Sequence, residues 1–146
     1  MRRKGQKKPD GWEPLRAQIF GTQDRRLICA IRRLLKDLNP LLFHRSTVFR
    51  QPGTVNIIFT NNRHITELNR RFLHRNRPTD VLAFPLALPQ ESPKQILLGE
   101  IYISREQARR QAKALGRKLR AELLFLVRHG LLHLAGFSHQ EMNRLP

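Results

Sequence analysis

The chain contains six histidines, and three of them, His129, His133 and His139, fall within the segment RHGLLHLAGFSH. His129 and His133 are four apart. On a helix that spacing puts both rings on one face, where they can converge on one ion. A helix continued through His139 would carry its ring out of line with the pair, whereas a chain reversal at Gly136 would bring it back over them. Three imidazoles occupy three positions of a tetrahedral zinc site and leave the fourth for water, as in catalytic rather than structural sites. An ion held this way lowers the pKa of its water to about 7 and supplies hydroxide near neutral pH. The chemistry predicted is metal-assisted hydrolysis with one zinc ion on His129, His133 and His139. The same donors also suit nickel, copper or cobalt.

Spacing alone is moderately specific, because six histidines in a chain of this length produce H-x3-H by chance at an appreciable rate. Two polar rings on an otherwise apolar helix strengthen it, since each has ring nitrogens to satisfy. A zincin protease carries a glutamate base directly after its first ligand histidine. Here that position is Gly130, which excludes the zincin mechanism and leaves the general base to another group or to the metal hydroxide itself. Glu122, two turns before His129, fits either a hydrogen-bond partner for a ligand ring or a purely structural role.

The elements that must position these residues follow from apolar spacing. A strand is expected over Leu15 to Phe20, then a helix capped by Thr22 and running from about Gln23 to Leu38. Its apolar face is Leu27, Ile31, Leu34, Leu35 and Leu38, and Asn39-Pro40 ends it. Thr47 to Phe49 reads as a short strand, Gln51-Pro52-Gly53 as a turn, and the β-branched run Thr54 to Thr60 as a better strand. Asn61 or Asn62 caps a helix bearing Ile65, Leu68 and Phe72. A basic loop from His74 to Pro78 leads to a strand over Val81–Leu86. A connection over Pro89 to Pro93 and a strand over Leu97 to Ile103 follow. Ser104 and Gln107 form a capping box for a helix ending at Gly116. The last helix, from about Lys118 to Ala135, is apolar nearly all round and is therefore central and buried. The expected fold is α+β: a single domain with a small, mostly parallel sheet packed against helices, and a buried central helix carrying the histidine pair. Residues 1–13 read as a basic disordered arm and 14–146 as the domain.

The chain of 146 residues carries 28 Lys and Arg against 11 Asp and Glu, a net charge of +17. The excess is +9 over residues 1–50, +2 over 51–100 and +6 over 101–146, so it is not confined to a tail. A chain this basic attracts polyanions, and nucleic acid is the usual one; a generally basic surface is the plainer reading. The lone cysteine, Cys29, excludes an intrachain disulfide and a thiolate-rich metal site. No apolar run is long enough to span a bilayer, and the basic N-terminus lacks the apolar stretch of a secretory signal. A reducing, cytoplasmic setting with no membrane partner and no small-molecule cofactor is expected.

The segment HGLLHLAGFSH over residues 129–139 resembles the H-G-x-L-H-L-x-G-[YF]-D-H signature of the YbeY family. Two upstream blocks are also similar to that family's: Leu68-Asn69-Arg70-Arg71-Phe72 followed by PTDVLAFP from Pro78, and LGEIYI from Leu98. The resemblance covers about residues 45–139. It implies a zinc ion on the three histidines and single-strand-specific endoribonuclease activity in 16S rRNA 3′-end maturation and ribosome quality control. The implied partners are rRNA, the small ribosomal subunit and its assembly factors. The sequence departs from the family pattern at Ser138, where most members carry Asp, and at Leu73, where the family has an Arg that faces substrate phosphate. It also stops at Pro146, where the family usually continues into an acidic helix.

Cleaving RNA requires neutralising the charge of a five-coordinate phosphorane. Arg70, Arg71, Arg75 and Arg77 surround the loop before Thr79-Asp80 and are candidates, with Arg71 the first choice for a catalytic role in place of Leu73. Asp80 fits a base or an orienting carboxylate, and equally a turn residue at the start of a strand. Arg105, Arg109, Lys113 and Arg117 recur every four residues, which reads as a basic stripe for tracking phosphates or as a solvated helix face. Aromatic residues are few, and most are expected in the core, which favours binding by shape and phosphate contacts. The alternative to an enzyme is an RNA-binding assembly factor that retains the metal site.

Overall fold

A computed structural model describes residues 13–89 and 96–146. The expected arm, residues 1–13, lies outside the described residues except for Glu13, as does most of the Pro89–Pro93 connection. Strand β1 spans Arg16–Phe20, helix α1 Arg25–Arg45, strand β2 Gly53–Thr60 and helix α2 Asn62–Leu73. Strands β3 (Val81–Pro89) and β4 (Ile96–Ser104) follow, then helices α3 (Arg105–Ala114), α4 (Leu119–Leu134) and α5 (His139–Met142).

The strands form one sheet in the order β1-β2-β4-β3. β1 and β4 both run parallel to β2, and β3 runs antiparallel to β4 at one edge. The expected α+β fold with a mostly parallel sheet is therefore observed. Parallel neighbours need a long crossover, which α1 supplies between β1 and β2. Side chains alternate across the sheet. One face presents Val55, Ile57, Phe59, Ile101 and Ile103, all buried in the core with α1 and α4. The other presents Tyr102 and Phe84, which meet His64 and Phe72 of α2 edge-on or tilted. So α4 and α2 lie on opposite faces.

α4 approaches the sheet closely because glycine occurs on each side of the contact. A Cβ on Gly130 would lie 2.6 Å from Ile101 Cγ2, and one on Gly99 would lie 2.8 Å from Leu134 Cδ2. A bulky residue from each element thus fills the space its opposite glycine leaves. Among the described residues, no helix is long and apolar enough to cross a membrane.

Four expectations about elements are corrected. Asp24, not Thr22, caps α1: its carboxylate accepts from the backbone N–H of Arg26 and Leu27 at 3.0 and 3.2 Å. The helix also runs through Pro40 to Arg45 rather than stopping at Asn39. Pro40 removes one helical hydrogen bond, but the burial of Leu27, Ile31, Leu35, Leu38 and Leu42 continues in helical period past it, and packing prevails. The expected strand at Thr47 to Phe49 is instead a 3-10 turn over Val48–Arg50, which buries Phe49. At α3 only half of the capping box forms. Ser104 Oγ accepts from the Gln107 N–H at 3.2 Å, while the Ser104 N–H donates to the Asp80 carbonyl at 2.9 Å.

Candidate metal centre

The histidine pair sits in the last two turns of α4. One face of this helix is clamped to the sheet through Gly130 and the buried Leu126, Val127 and Leu131. That explains the glycine at the zincin glutamate position, since a side chain there would point into Ile101 rather than toward the rings. His129 and His133 emerge on another face, half-buried, with their ring centroids 4.5 Å apart.

The reversal expected at Gly136 is present. Gly136 has φ of +83°, in the left-handed region. Its N–H bonds to the His133 carbonyl at 2.9 Å, and the Phe137 N–H bonds to the Leu132 carbonyl at 3.0 Å. These two bonds define a Schellman turn. Ser138 then caps α5 in a reciprocal box: its Oγ accepts from the Glu141 N–H at 3.2 Å, and Glu141 accepts from the Ser138 N–H at 2.8 Å. His139, the first residue of α5, is thereby turned back over the pair, its ring centroid 5.0 Å from His129 and 4.7 Å from His133. One ligating nitrogen from each ring lies within 4.8 Å of the others.

Ser138 differs from the family's usual Asp, yet serine and aspartate are near-equal N-caps. The cap geometry gives the hydroxyl a local role in holding His139. The turn is also braced from afar. Arg45, in the last turn of α1, pairs with Glu141 at 2.8 Å, donates to the Gly136 carbonyl at 3.1 Å and stacks 4.7 Å from the centre of the Phe137 ring. Only the extension of α1 beyond Pro40 brings Arg45 there. Sequence reasoning missed both Arg45 and Glu141. Ser138-x-x-Glu141 was a readable capping signal, whereas nothing local marks Arg45.

The donor set suits a metal ion. The Nε2 atoms of His129 and His133 are 2.9 Å apart, while a tetrahedral ion with bonds of about 2.0–2.1 Å spaces its nitrogens by roughly 3.3 Å. A small spreading of the rings accommodates it. Burial holds the pKa of both His129 and His133 below the usual histidine value. The neighbouring imidazoles, and Arg128 for His129, act in the same direction, while the Asp80 charge opposes. The neutral ring is the form that ligates.

The other candidates are distributed unevenly. Asp80 lies near enough for its charge to be felt at His129 and His133, but its oxygens are engaged. Oδ1 accepts from the Val81 N–H at 2.8 Å and Oδ2 from Gln111 Nε2 at 3.1 Å. Arg70 is tied to Glu67 at 2.6 Å along α2, and Arg71, Arg75 and Arg77 are exposed. The buried Asn69 shapes their loop by donating to the Arg77 carbonyl at 2.8 Å. Arg109 and Lys113 lie exposed on α3, and Arg105 sits 5.9 Å from the centre of the Phe59 ring. Arg117 is not on that helix, which ends at Ala114. Gly116, at φ of +62°, reverses the chain, and Arg117 pairs with Glu122 at 3.3 Å. Glu122 is buried and faces Arg117, so its observed partner is an arginine rather than a ligand ring. The aromatic residues are less buried than expected, with Phe20, Phe72 and Phe125 about half exposed.

A family model described as Endoribonuclease YbeY matches residues 22–145. Among curated relatives named Endoribonuclease YbeY, that of Synechocystis sp. is 44% identical over 92 residues, covering 58% of this chain and 51% of the relative. That of Sulfurovum sp. is 46% identical over 88 residues, covering 59% and 60%. That of Prochlorococcus marinus is 31% identical over 125 residues, covering 82% and 67%. The chain thus spans about half to two thirds of the length of these relatives. A solution structure of a Thermotoga maritima protein superposes with a TM-score of 0.51 at 28% identity, covering 86% of this chain and 74% of that one. On the extent of these matches, the chain belongs to the YbeY endoribonuclease family.

Proposed function

We propose that this chain is a zinc-dependent, single-strand-specific endoribonuclease that acts in 16S rRNA 3′-end maturation and ribosome quality control. The observation that carries the reading is the convergence of three imidazoles, His129, His133 and His139, from two separately capped helices onto one point. Zinc is the ion that best suits a three-histidine set with one position left open. When bound, it supplies Lewis acidity toward a phosphoryl oxygen and toward water. The chain's own groups do the rest. His129 and His133, whose pKa values burial lowers, favour the neutral ligating form, and His139 supplies the third ring nitrogen. Asp80, anchored by Val81 and Gln111, biases the charge of the cluster. Arg71, with Arg75 and Arg77, offers exposed cations to the developing phosphorane charge. Arg70, Arg105, Arg109, Lys113 and Arg117 extend the basic surface along which an RNA strand is held. The partners on this reading are rRNA, the small ribosomal subunit and its assembly factors, in the cytoplasm.

A second reading, an assembly factor that binds RNA without cleaving it, is favoured by one observation. Leu73, where the family pattern has an arginine, ends α2 as a half-exposed apolar residue. The test is cleavage of a single-stranded rRNA fragment by zinc-loaded protein, beside His133→Ala and a chelator-treated control. Cleavage lost in both controls is the expected result. Salt-sensitive RNA binding with no metal-dependent cleavage would overturn the enzyme reading in favour of the second.

A further inference from the structure

Phe125 is the exception on α4. The helix buries Leu123, Leu126, Leu131 and Leu132, yet Phe125 is 46% exposed. It lies one turn before His129 on the same face, with ring centroids 6.1 Å apart and planes tilted by 32°. The Arg117 guanidinium sits 5.6 Å from the Phe125 ring centre. That guanidinium is itself anchored, because the buried Glu122 holds it at 3.3 Å. A half-exposed aromatic ring with an anchored cation over it therefore stands beside the imidazole cluster.

A nucleobase and its attached phosphate are the ligand this arrangement fits. The base offers a flat π face to Phe125, the phosphate offers charge to Arg117, and the +17 chain favours a polyanion over a neutral peptide. We propose that Phe125 and Arg117 form a base-stacking subsite for single-stranded RNA, seating the nucleobase adjacent to the phosphate presented to the histidine cluster. The subsite rests on the endoribonuclease reading and gives that reading a physical source for strand preference. A base inside a duplex is already stacked on both sides and cannot lie on Phe125, whereas an unpaired base can. The contact is tolerant of base identity, because every base has a π face.

The test is equilibrium binding, with cleavage in parallel, of the zinc-loaded full chain to a single-stranded oligoribonucleotide and to a series carrying one abasic nucleotide at successive positions. Wild type, Phe125→Ala, Phe125→Leu and Phe125→Trp are compared. Phe125→Ala is expected to weaken binding about 5- to 100-fold. Trp should restore binding and Leu should not, with one zinc per chain in every variant. One abasic position should weaken wild type by a similar factor and leave Phe125→Ala nearly unchanged. A merely structural phenylalanine would not produce that coupling. If the Ala variant fails to fold, the Leu variant, which keeps apolar bulk, carries the same comparison. Wild-type affinity in the Leu variant, or equal abasic penalties in wild type and variant, overturns the subsite while leaving the enzyme reading intact. A wild type that neither binds nor cleaves single-stranded RNA overturns both.

Discussion

Gly130→Ala is the most informative single change in this structure, because two effects of opposite sign meet at one atom. Alanine in a helix interior is favoured over glycine by about 1 kcal/mol. Against that, the new methyl would lie 2.6, 3.1 and 3.2 Å from Ile101 Cγ2, Cδ1 and Cγ1. Comfortable carbon contacts begin near 3.5 Å, so the helix and strand must part by roughly 1 Å or Ile101 must leave its rotamer. Ile101 is fully buried and paired to Ile57 and Ala83 on either side, so the strand is the poorer candidate to move. Overpacking of this kind costs about 1–3 kcal/mol. The net expectation is destabilisation of about 1 kcal/mol where an unobstructed helix would gain as much. Ile101→Ala removes all three opposing atoms and alone should cost about 2–5 kcal/mol. In the double variant the clash is gone and the helix preference returns, so it should be more stable than Ile101→Ala by about 1 kcal/mol. The coupling is then about 2 kcal/mol, read from a double-mutant cycle of urea unfolding curves. Zinc titration of Gly130→Ala should also show weaker binding, since the displaced turn carries His129 and His133 but not His139. Additive effects in the cycle, or stabilisation by Gly130→Ala alone, would refute the close approach as the reason for the glycine.

Three further outcomes follow from the helices. Pro40→Ala should raise stability by about 1–3 kcal/mol by restoring the hydrogen bond to the Lys36 carbonyl, measured as a higher urea midpoint at unchanged slope. Arg45→Ala should weaken zinc binding by about tenfold without moving RNA affinity to the same degree, because it loosens the turn that aims His139; isothermal titration measures the first. Asp24 is held below its ordinary pKa of 3.8, chiefly by the Leu27 N–H and then by Arg120. Its folded value is the lower one, so its contribution to stability is present above 3.8 and is lost as pH falls through the folded value. Asp24→Asn should flatten that part of an acid unfolding profile, and an unchanged slope would exclude the cap as its source.

The pieces legible in the sequence were those decided locally. His129 and His133 share a face because of helical geometry, Gly136 reverses the chain because glycine accepts positive φ, and the β-branched run over residues 54–60 forms a strand. Errors arose where tertiary contacts outvoted local preference. Pro40 is a stop signal by propensity, yet burial of Leu42 carries α1 past it. Thr47 to Phe49 has strand-like residues, but the burial of Phe49 is met by a 3-10 turn. Arg117 continues a four-residue spacing on paper, while Gly116 breaks the helix and the buried Glu122 claims the guanidinium. The Arg45–Glu141 pair joins residues 96 apart, and no window along the chain can reveal it. Asp80 shows the reverse limit, because its position was legible but its engagement by Gln111 was not.

The three histidines lie within one short stretch, residues 129–139, and the caps at Gly136 and Ser138 that orient them draw on partners no further along the chain than Glu141. In folding terms the ligand set has low contact order, with Arg45 and the Gly130–Ile101 contact as distant braces. The segment keeps some capacity to chelate when the sheet is lost, because its ligands stay neighbours along the chain. Binding to the unfolded state subtracts from ligand-induced stabilisation. An ion held by this segment would therefore protect the chain against denaturation by less than its affinity for the native state would provide.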